Sequence, residues 1–163
     1  MKATKLATMF LASLTLVGVS ATASANSGLS YNYAGLQYFS QDLDDFDCDQ
    51  DGLNLYGSLE LNSDFFARGS FSDASGNHGC GAQAFSVGAG YRTAFSSQSS
   101  VYGALSFEDI SPDHGDGDSG LIVAGGIRTI LGNNLEGRLE VAHHTVGDGT
   151  TELVGGLAYA FNP

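Results

Sequence analysis

One pattern constrains the fold of this chain more than any other: apolar and polar residues alternate with a period of two. In the segment 52–61, Leu53, Leu55 and Leu59 share one face, and polar residues such as Glu60 share the other. Side chains of a β-strand point alternately to opposite faces, so this period predicts a strand with two unlike surfaces. The same alternation recurs in the segments 64–72, 82–92, 100–108, 120–130, 135–144 and 151–161.

A less regular strand is predicted at about 28–40, where Leu29, Tyr31, Tyr33 and Phe39 occupy alternate positions. The chain is therefore expected to form about eight antiparallel strands of about ten residues, the length that a tilted strand needs to cross a bilayer. The connections between these strands alternate in length. The short ones are predicted at 62–63, 93–97 and 131–134, and the longer or more acidic ones at 41–51, 73–81, 109–119 and 145–150.

The charged residues of the strands all fall on the face opposite the Leu, Val and Phe rows. A charge that faced lipid would cost about 2–4 kcal/mol near the middle of the membrane. A sheet in lipid must also close, because no water is present to satisfy its edge groups. We therefore predict an all-β, eight-stranded antiparallel up-and-down transmembrane β-barrel, with a lumen charge network formed by Glu60, Arg68, Arg92, Glu108, Arg128, Glu136, Arg138, Glu140 and Glu152.

The period alone does not say which face is inside. A soluble barrel of the lipocalin kind would turn the apolar face inward and bind a ligand there. The polar face of these strands is crowded with Gly, Ala and Ser, which suits a cramped interior rather than a solvated exterior. This composition favours the arrangement in which the apolar face meets lipid.

The N-terminal residues have the three-part pattern of an export signal. Lys2 and Lys5 precede an apolar stretch at 6–19, and the segment 23–25 reads Ala-Ser-Ala, a typical cleavage site. We predict that residues 1–25 are a cleaved signal peptide and that residues 26–163 form one barrel domain. The alternative is a retained membrane helix, which the polar segment after the cleavage site disfavours.

The segment 26–163 has no lysine, and its four arginines stand against eighteen Asp and Glu residues, a formal net charge of −14. A nucleic-acid partner is excluded, because such binding requires basic groups that replace counterions around phosphates. Cys48 and Cys80 fall in the first and second long connections. Export would place them in an oxidising compartment, so a disulfide is predicted, with two free thiols as the alternative.

The last residues of the chain carry its most specific local motif. Gly156, Tyr159 and Phe161 resemble the C-terminal assembly signal of small outer-membrane barrels, although the chain departs from that pattern by ending on Asn-Pro. In architecture the whole mature chain resembles barrels of the OmpA/OmpX type from Gram-negative bacteria. The resemblance implies location in the outer membrane, and we expect a monomer. Because barrels of this class have short periplasmic turns and the predicted strand count is even, both termini are expected in the periplasm. The implied partners are membrane lipid, lipopolysaccharide and the barrel-assembly machinery.

Two motifs of the sequence are relevant to metal binding or catalysis. Asp47, Asp49 and Asp51 match the first half of an EF-hand loop, although the later glutamate position is occupied by Ser58. These carboxylates could instead bind Ca²⁺ or Mg²⁺ loosely and bridge to lipopolysaccharide phosphates; no other cofactor is expected. His143 and Thr145 faintly resemble the His-x-Ser motif of lipid A deacylases.

A serine-type hydrolase also needs an orienting carboxylate, and the nearest acid, Glu152, is predicted to point inward. We therefore expect a non-catalytic barrel with acidic surface loops that serves membrane integrity, surface interaction or adhesion. The alternatives are a narrow ion-conducting pore and, third, an enzyme that modifies lipid A. Because side chains nearly fill an eight-stranded interior, the lumen charges are expected to form a plug rather than a gate.

Overall fold

The computed structural model describes residues 14–20, 29–43, 48–76, 81–132 and 135–159. These residues form one antiparallel sheet in which each strand pairs with the next strand along the chain. No helix among the described residues is long and apolar enough to cross a membrane. The strands are β1 (Leu14–Ser20), β2 (Tyr33–Leu43), β3 (Cys48–Glu60), β4 (Phe65–Gly76), β5 (Ala82–Ala94), β6 (Ser99–Pro112), β7 (Asp118–Gly132), β8 (Leu135–His144) and β9 (Thr150–Tyr159).

The eight strands β2–β9 confirm the predicted up-and-down architecture. Their register keeps the apolar rows together, as in the chain of partners Leu55, Phe71 and Phe85 across β3, β4 and β5. A slip of one residue would move all the side chains of a strand to the opposite face. The register is therefore determined by the two-residue period that the sequence displays.

The outer surface of the barrel is a belt of exposed apolar side chains. Leu59, Leu105 and Leu153 are each more than half exposed, and many Leu, Val and Phe residues of the other strands resemble them. A soluble monomer rarely exposes a continuous apolar surface of this size. The predicted assignment of faces is confirmed for β3–β9, and the apolar belt is suited to contact with lipid.

The first barrel strand differs from its prediction in bounds and in orientation. It begins at Tyr33, and Tyr33 and Phe39 point into the barrel, whereas Leu36 and Tyr38 point outward. The inward Phe39 ring fits here because it lies over a glycine. A Cβ added to Gly52 would lie 2.5 Å from the Phe39 ring.

Several strands extend into segments that were predicted to be loops. The first four residues of β3 lie within the predicted connection 41–51, and the end of β6 and the start of β7 shorten the predicted connection 109–119. As a result, outward-facing acids stand on strands, directly above the apolar belt. Asp73 pairs with Leu53, and Asp109 pairs with Phe85. We call the exposed residues Asp49, Asp51, Asp73 and Asp109 the acidic collar.

Strand β1 lies inside the segment predicted to be a signal peptide. It pairs antiparallel with β2 and lies next to β9. Because strand directions alternate, β1 and β9 run parallel, whereas β2 and β9 run antiparallel. If β1 is removed, β2 and β9 become the two edges of an even-numbered antiparallel sheet, as single-chain bacterial barrels require.

We therefore expect cleavage after Ala25 to remove β1 and allow β2 to pair with β9. Intact-mass measurement on the outer-membrane form should give a chain that begins at Asn26. The same sample should migrate faster unboiled than boiled on a gel, because a closed barrel resists detergent. A membrane-embedded form that retains residues 14–20 would contradict this expectation and would make β1 a permanent strand.

The apolar belt predicts a depth-dependent response to charge. Leu105→Arg, at the middle of β6, should lower the free energy of unfolding in lipid vesicles by about 2–4 kcal/mol. The control Leu61→Arg, in the turn between β3 and β4, should lower it by about 0–1 kcal/mol, as expected near an interface. Denaturant titration in phospholipid vesicles measures both values. Equal effects at the two positions would mean that the belt does not face lipid.

Candidate functional site: the barrel lumen

The chain segment before β2 fills the lumen at the end where the short turns lie. Residues 29–32 are not in a strand, and Leu29 and Tyr31 are almost completely buried. Arginine side chains hold the backbone of this segment. Arg92 donates a hydrogen bond to the Leu29 carbonyl at 3.2 Å, and Arg128 donates one to the Ser30 carbonyl at 2.9 Å.

Glu60, the last residue of β3, fixes the same segment from the opposite direction. Its carboxylate accepts a hydrogen bond from the Tyr31 backbone N–H at 2.8 Å. Its own backbone N–H donates to the Asn32 side-chain oxygen, also at 2.8 Å. The carboxylate lies 3.0 Å from Arg92. Residues 29–32 are thus bound to the barrel wall through backbone groups as well as side chains.

The Tyr31 ring is the centre of this inserted segment. It lies 4.8 Å from the ring of Phe66 and 6.0 Å from the ring of Tyr102. The guanidinium groups of Arg92 and Arg128 lie 4.5 Å and 4.4 Å from its centroid, within the range of cation–π attraction. We call Tyr31, Phe66 and Tyr102 the aromatic plug.

The Tyr31 hydroxyl lies 2.9 Å from the Ser100 hydroxyl, so the polar end of the ring also has a partner.

A second set of charges lies midway along the barrel. Arg68 makes two hydrogen bonds to the Glu140 carboxylate, at 3.0 Å and 3.2 Å. Arg138 lies 3.0 Å from the same carboxylate, and the Tyr102 hydroxyl donates to it at 2.5 Å. Glu140 is buried, and such a carboxylate is stabilised only when opposite charges and donors surround it. Arg68, Arg138 and Glu140 form what we call the central cluster.

The third set lies at the end of the barrel where the longer connections are. His144 Nδ1 lies 2.9 Å from Glu108, and His144 Nε2 lies 3.3 Å from Glu152. Ionised carboxylates only accept hydrogen bonds, so a histidine between two of them is favoured in its protonated form, which carries a donor on each nitrogen. We call these three residues the rim cluster.

The predicted lumen charges all face the interior. Each arginine has a glutamate within ion-pair distance, and Glu108 and Glu152 contact His144. The remaining pair, Arg128 and Glu136, is in direct contact near the turn end. Sequence reasoning did not anticipate Tyr31 as an interior residue or His144 as a partner of two glutamates. One signal was present for the plug: Phe66 and Tyr102 are large aromatic residues on the polar faces of their strands.

The residues considered for catalysis are not brought together. His143 is exposed on the outer surface, and its Nδ1 lies 2.9 Å from the Thr151 hydroxyl rather than from Thr145. The Thr145 hydroxyl accepts a hydrogen bond from the Leu121 backbone. Glu152 points inward to His144, as predicted.

The metal motif is only partly described, because Asp47 lies outside the described residues. Asp49 and Asp51 stand on β3, where alternate side chains are about 7 Å apart along the strand. The Asp51 carboxylate accepts a hydrogen bond from the Tyr38 hydroxyl at 2.8 Å. Neither feature provides the curled loop of an EF-hand, and no metal-holding group of three acidic, His or Cys side chains occurs in the described part of the chain.

Two other predictions involve residues that are not described. Cys80 lies outside the described residues, so the disulfide with Cys48 stays a prediction. In the C-terminal motif, Gly156 pairs with Arg138 and Tyr159 pairs with Leu135 at the end of β9. Phe161 lies outside the described residues. The role of this motif in assembly stays a prediction as well.

A cavity of about 460 Å³ occupies the lumen beside these groups. It is lined by the central cluster, by the rim cluster and by small side chains of β4 and β5. It also reaches Ser30, Arg128 and Glu136 on the side of the plug near β8 and β9. The aromatic plug therefore fills part of the cross-section, and open space remains above it and along one side.

The contacts of the central cluster predict that two similar substitutions lower the free energy of unfolding by different amounts. Glu140→Gln leaves two arginines without their shared counter-charge and should lower the free energy of unfolding by about 3–5 kcal/mol. Glu152→Gln, at the half-buried rim, should cost about 1 kcal/mol or less. Denaturant titration in vesicles compares the two variants. Similar costs would contradict the central position assigned to Glu140.

Comparison with known proteins identifies one family. The family model described as "Outer membrane protein beta-barrel domain" matches residues 9–161. No curated protein and no solved structure matches the chain.

Proposed function

Because the chain belongs to the outer-membrane β-barrel family, we propose that it is a non-catalytic, non-conducting barrel that anchors an acidic surface in the outer membrane. The observation that carries this proposal is the aromatic plug, held by Arg92, Arg128 and Glu60 at the turn end of the lumen. A conducting pore needs a continuous wet path, whereas Tyr31 is only 1% exposed. The proposed roles are membrane integrity, surface interaction or adhesion.

The proposed orientation follows from the lengths of the connections. Barrels of this class have short periplasmic turns and longer external loops. The start of β2 and the end of β9 both lie at the short-turn end, which supports periplasmic termini. The acidic collar then lies at the external surface, where divalent cations could link it to lipopolysaccharide phosphates. Lipid, lipopolysaccharide and the assembly machinery are the proposed partners.

The absence of catalysis is supported by the separation of the groups that a hydrolase would need. His143 lies on the outer surface, and the neighbouring acid Glu152 is occupied inside the barrel by His144. A general base without an orienting carboxylate lacks the arrangement that activates a hydroxyl nucleophile.

A narrow pore is the second candidate, and one observation favours it. The cavity passes beside the plug and reaches Ser30, Arg128 and Glu136. If the mature barrel keeps this side open, ions could pass between the plug and β9. Closure of β2 against β9 would narrow the same space and block the ions. The non-conducting barrel and the narrow pore therefore predict different conductances.

Conductance in a planar lipid bilayer tests the proposal. The wild-type barrel should be silent, and Tyr31→Ala combined with Phe66→Ala should conduct, because the two substitutions remove most of the plug. Phe65→Ala is the matched control, since the adjacent Phe65 ring faces outward and its removal leaves the lumen unchanged. Heat-modifiable migration verifies that each variant is a folded barrel.

Steady conductance of the wild-type barrel would overturn the non-conducting proposal and establish the pore. Silence of the folded double variant would show that the seal does not depend on the aromatic plug.

A further inference from the structure

The two halves of the lumen differ in side-chain volume. The turn half contains the aromatic plug and two arginines, whereas the loop half is walled by Ser70, Ser72, Ala82, Ala84 and Ser86. Small side chains on neighbouring strands leave an open space where long ones would fill it. The cavity therefore extends over the central cluster and up to the rim cluster; we call this space the cup.

The exposed fractions of the four arginine side chains also differ between the turn half and the loop half of the lumen. The side chains of Arg92 and Arg128 in the turn half are each 7% exposed. Those of Arg68 and Arg138 are 23% and 21% exposed, although they also lie inside the barrel. Their accessible surface is therefore exposed to the cup.

The cup has an unequal distribution of charge along its length. The central cluster at its base contains two guanidinium groups and one carboxylate, an excess of one positive charge. The rim cluster contains two carboxylates and one histidine, an excess of at least one negative charge. The charges in the turn half are matched in pairs, Arg92 with Glu60 and Arg128 with Glu136.

Polar atoms of the cup also lack hydrogen-bond partners among the described residues. They are the side-chain oxygen of Asn54 and Arg138 Nε. Buried polar groups of native proteins are nearly always satisfied by protein, water or ligand. Arg138 Nε is a donor beside the positive end of the cup, and such a donor is suited to an anionic oxygen.

We propose that the cup binds a small linear zwitterion, with its acidic group at Arg68 and Arg138 and its ammonium group at the exposed side of Glu152 in the rim cluster. The spacing suits a ligand whose charges are separated by several bonds. Glu140 and His144 are four residues apart on β8, about 13 Å along the strand, and the side chains of both clusters shorten this gap. The inference goes beyond the proposed function and does not depend on whether the lumen conducts.

The experiment uses the mature barrel refolded in detergent and three ligands of equal length. 6-Aminohexanoate carries both charges, 6-hydroxyhexanoate carries only the anion, and 6-aminohexanol carries only the cation. Isothermal titration calorimetry should show that the zwitterion binds about tenfold or more tightly than either singly charged ligand. Three equal affinities, or no binding of the zwitterion, would overturn the proposal.

Two variants assign the ends of the ligand. Arg138→Gln should abolish the advantage of 6-aminohexanoate over 6-aminohexanol, and Glu152→Gln should abolish its advantage over 6-hydroxyhexanoate. Asp73→Asn is the control, because it removes an external carboxylate of the acidic collar and should leave all three affinities unchanged.

These comparisons are ratios within one folded variant, so a change in stability does not imitate the expected result. If Arg138→Gln does not fold, the affinity ratios measured for Glu152→Gln test the proposal on their own. Unchanged ratios in Glu152→Gln would exclude the rim cluster as the ammonium site and overturn the proposed orientation.

Discussion

The charges inside the barrel impose the constraint on which the rest of the structure depends. An ion in a narrow lumen loses most of its hydration, so it must be paired, and breaking a buried pair costs several kcal/mol. Each arginine of the lumen accordingly contacts a glutamate, and Glu140 alone contacts two arginines and a tyrosine hydroxyl. Since partners lie on different strands, as Arg68 of β4 and Glu140 of β8 do, the pairs also hold distant parts of the sheet around one interior.

Glutamate and aspartate occupy different parts of the barrel, and the lengths of their side chains help to explain the difference. Every Glu of the chain faces the lumen, and every Asp whose side chain is described is exposed. Glutamate has one methylene more than aspartate, which helps its carboxylate to reach an arginine across the interior. Asp residues stand above the apolar belt, where Asp73 neighbours Leu53 and Asp109 neighbours Phe85. Their carboxylates remain hydrated there, so they need no basic partner.

The two-residue period was sufficient to predict strands β3–β9, their faces and the nine Arg and Glu residues that face the lumen, because each of these depends on that period. The period carries no information about a segment that is not a strand, so the insertion of Leu29 and Tyr31 into the lumen was not predicted. The period also gave the wrong face for Phe39, whose ring points inward over Gly52. Alternation of polar and apolar residues shows polarity, but it does not show the space that a glycine leaves for a ring. Pairings across the lumen, such as His144 with Glu108, depend on the curvature of the sheet and cannot be obtained from spacing along one strand.

The chain connectivity explains why the plug and the cup occupy opposite ends. Residues 29–32 lead directly into β2 at the short-turn end, so an N-terminal segment can fold into the lumen only from that side. There it meets Glu60, Arg92 and Arg128, which lie at strand ends fixed by tight turns and can hold its backbone. Among the residues that the structure describes, no such segment enters from the loop end, where small side chains leave the interior open. Tyr102 joins the two regions, because its ring packs in the plug while its hydroxyl donates to Glu140 at the base of the cup.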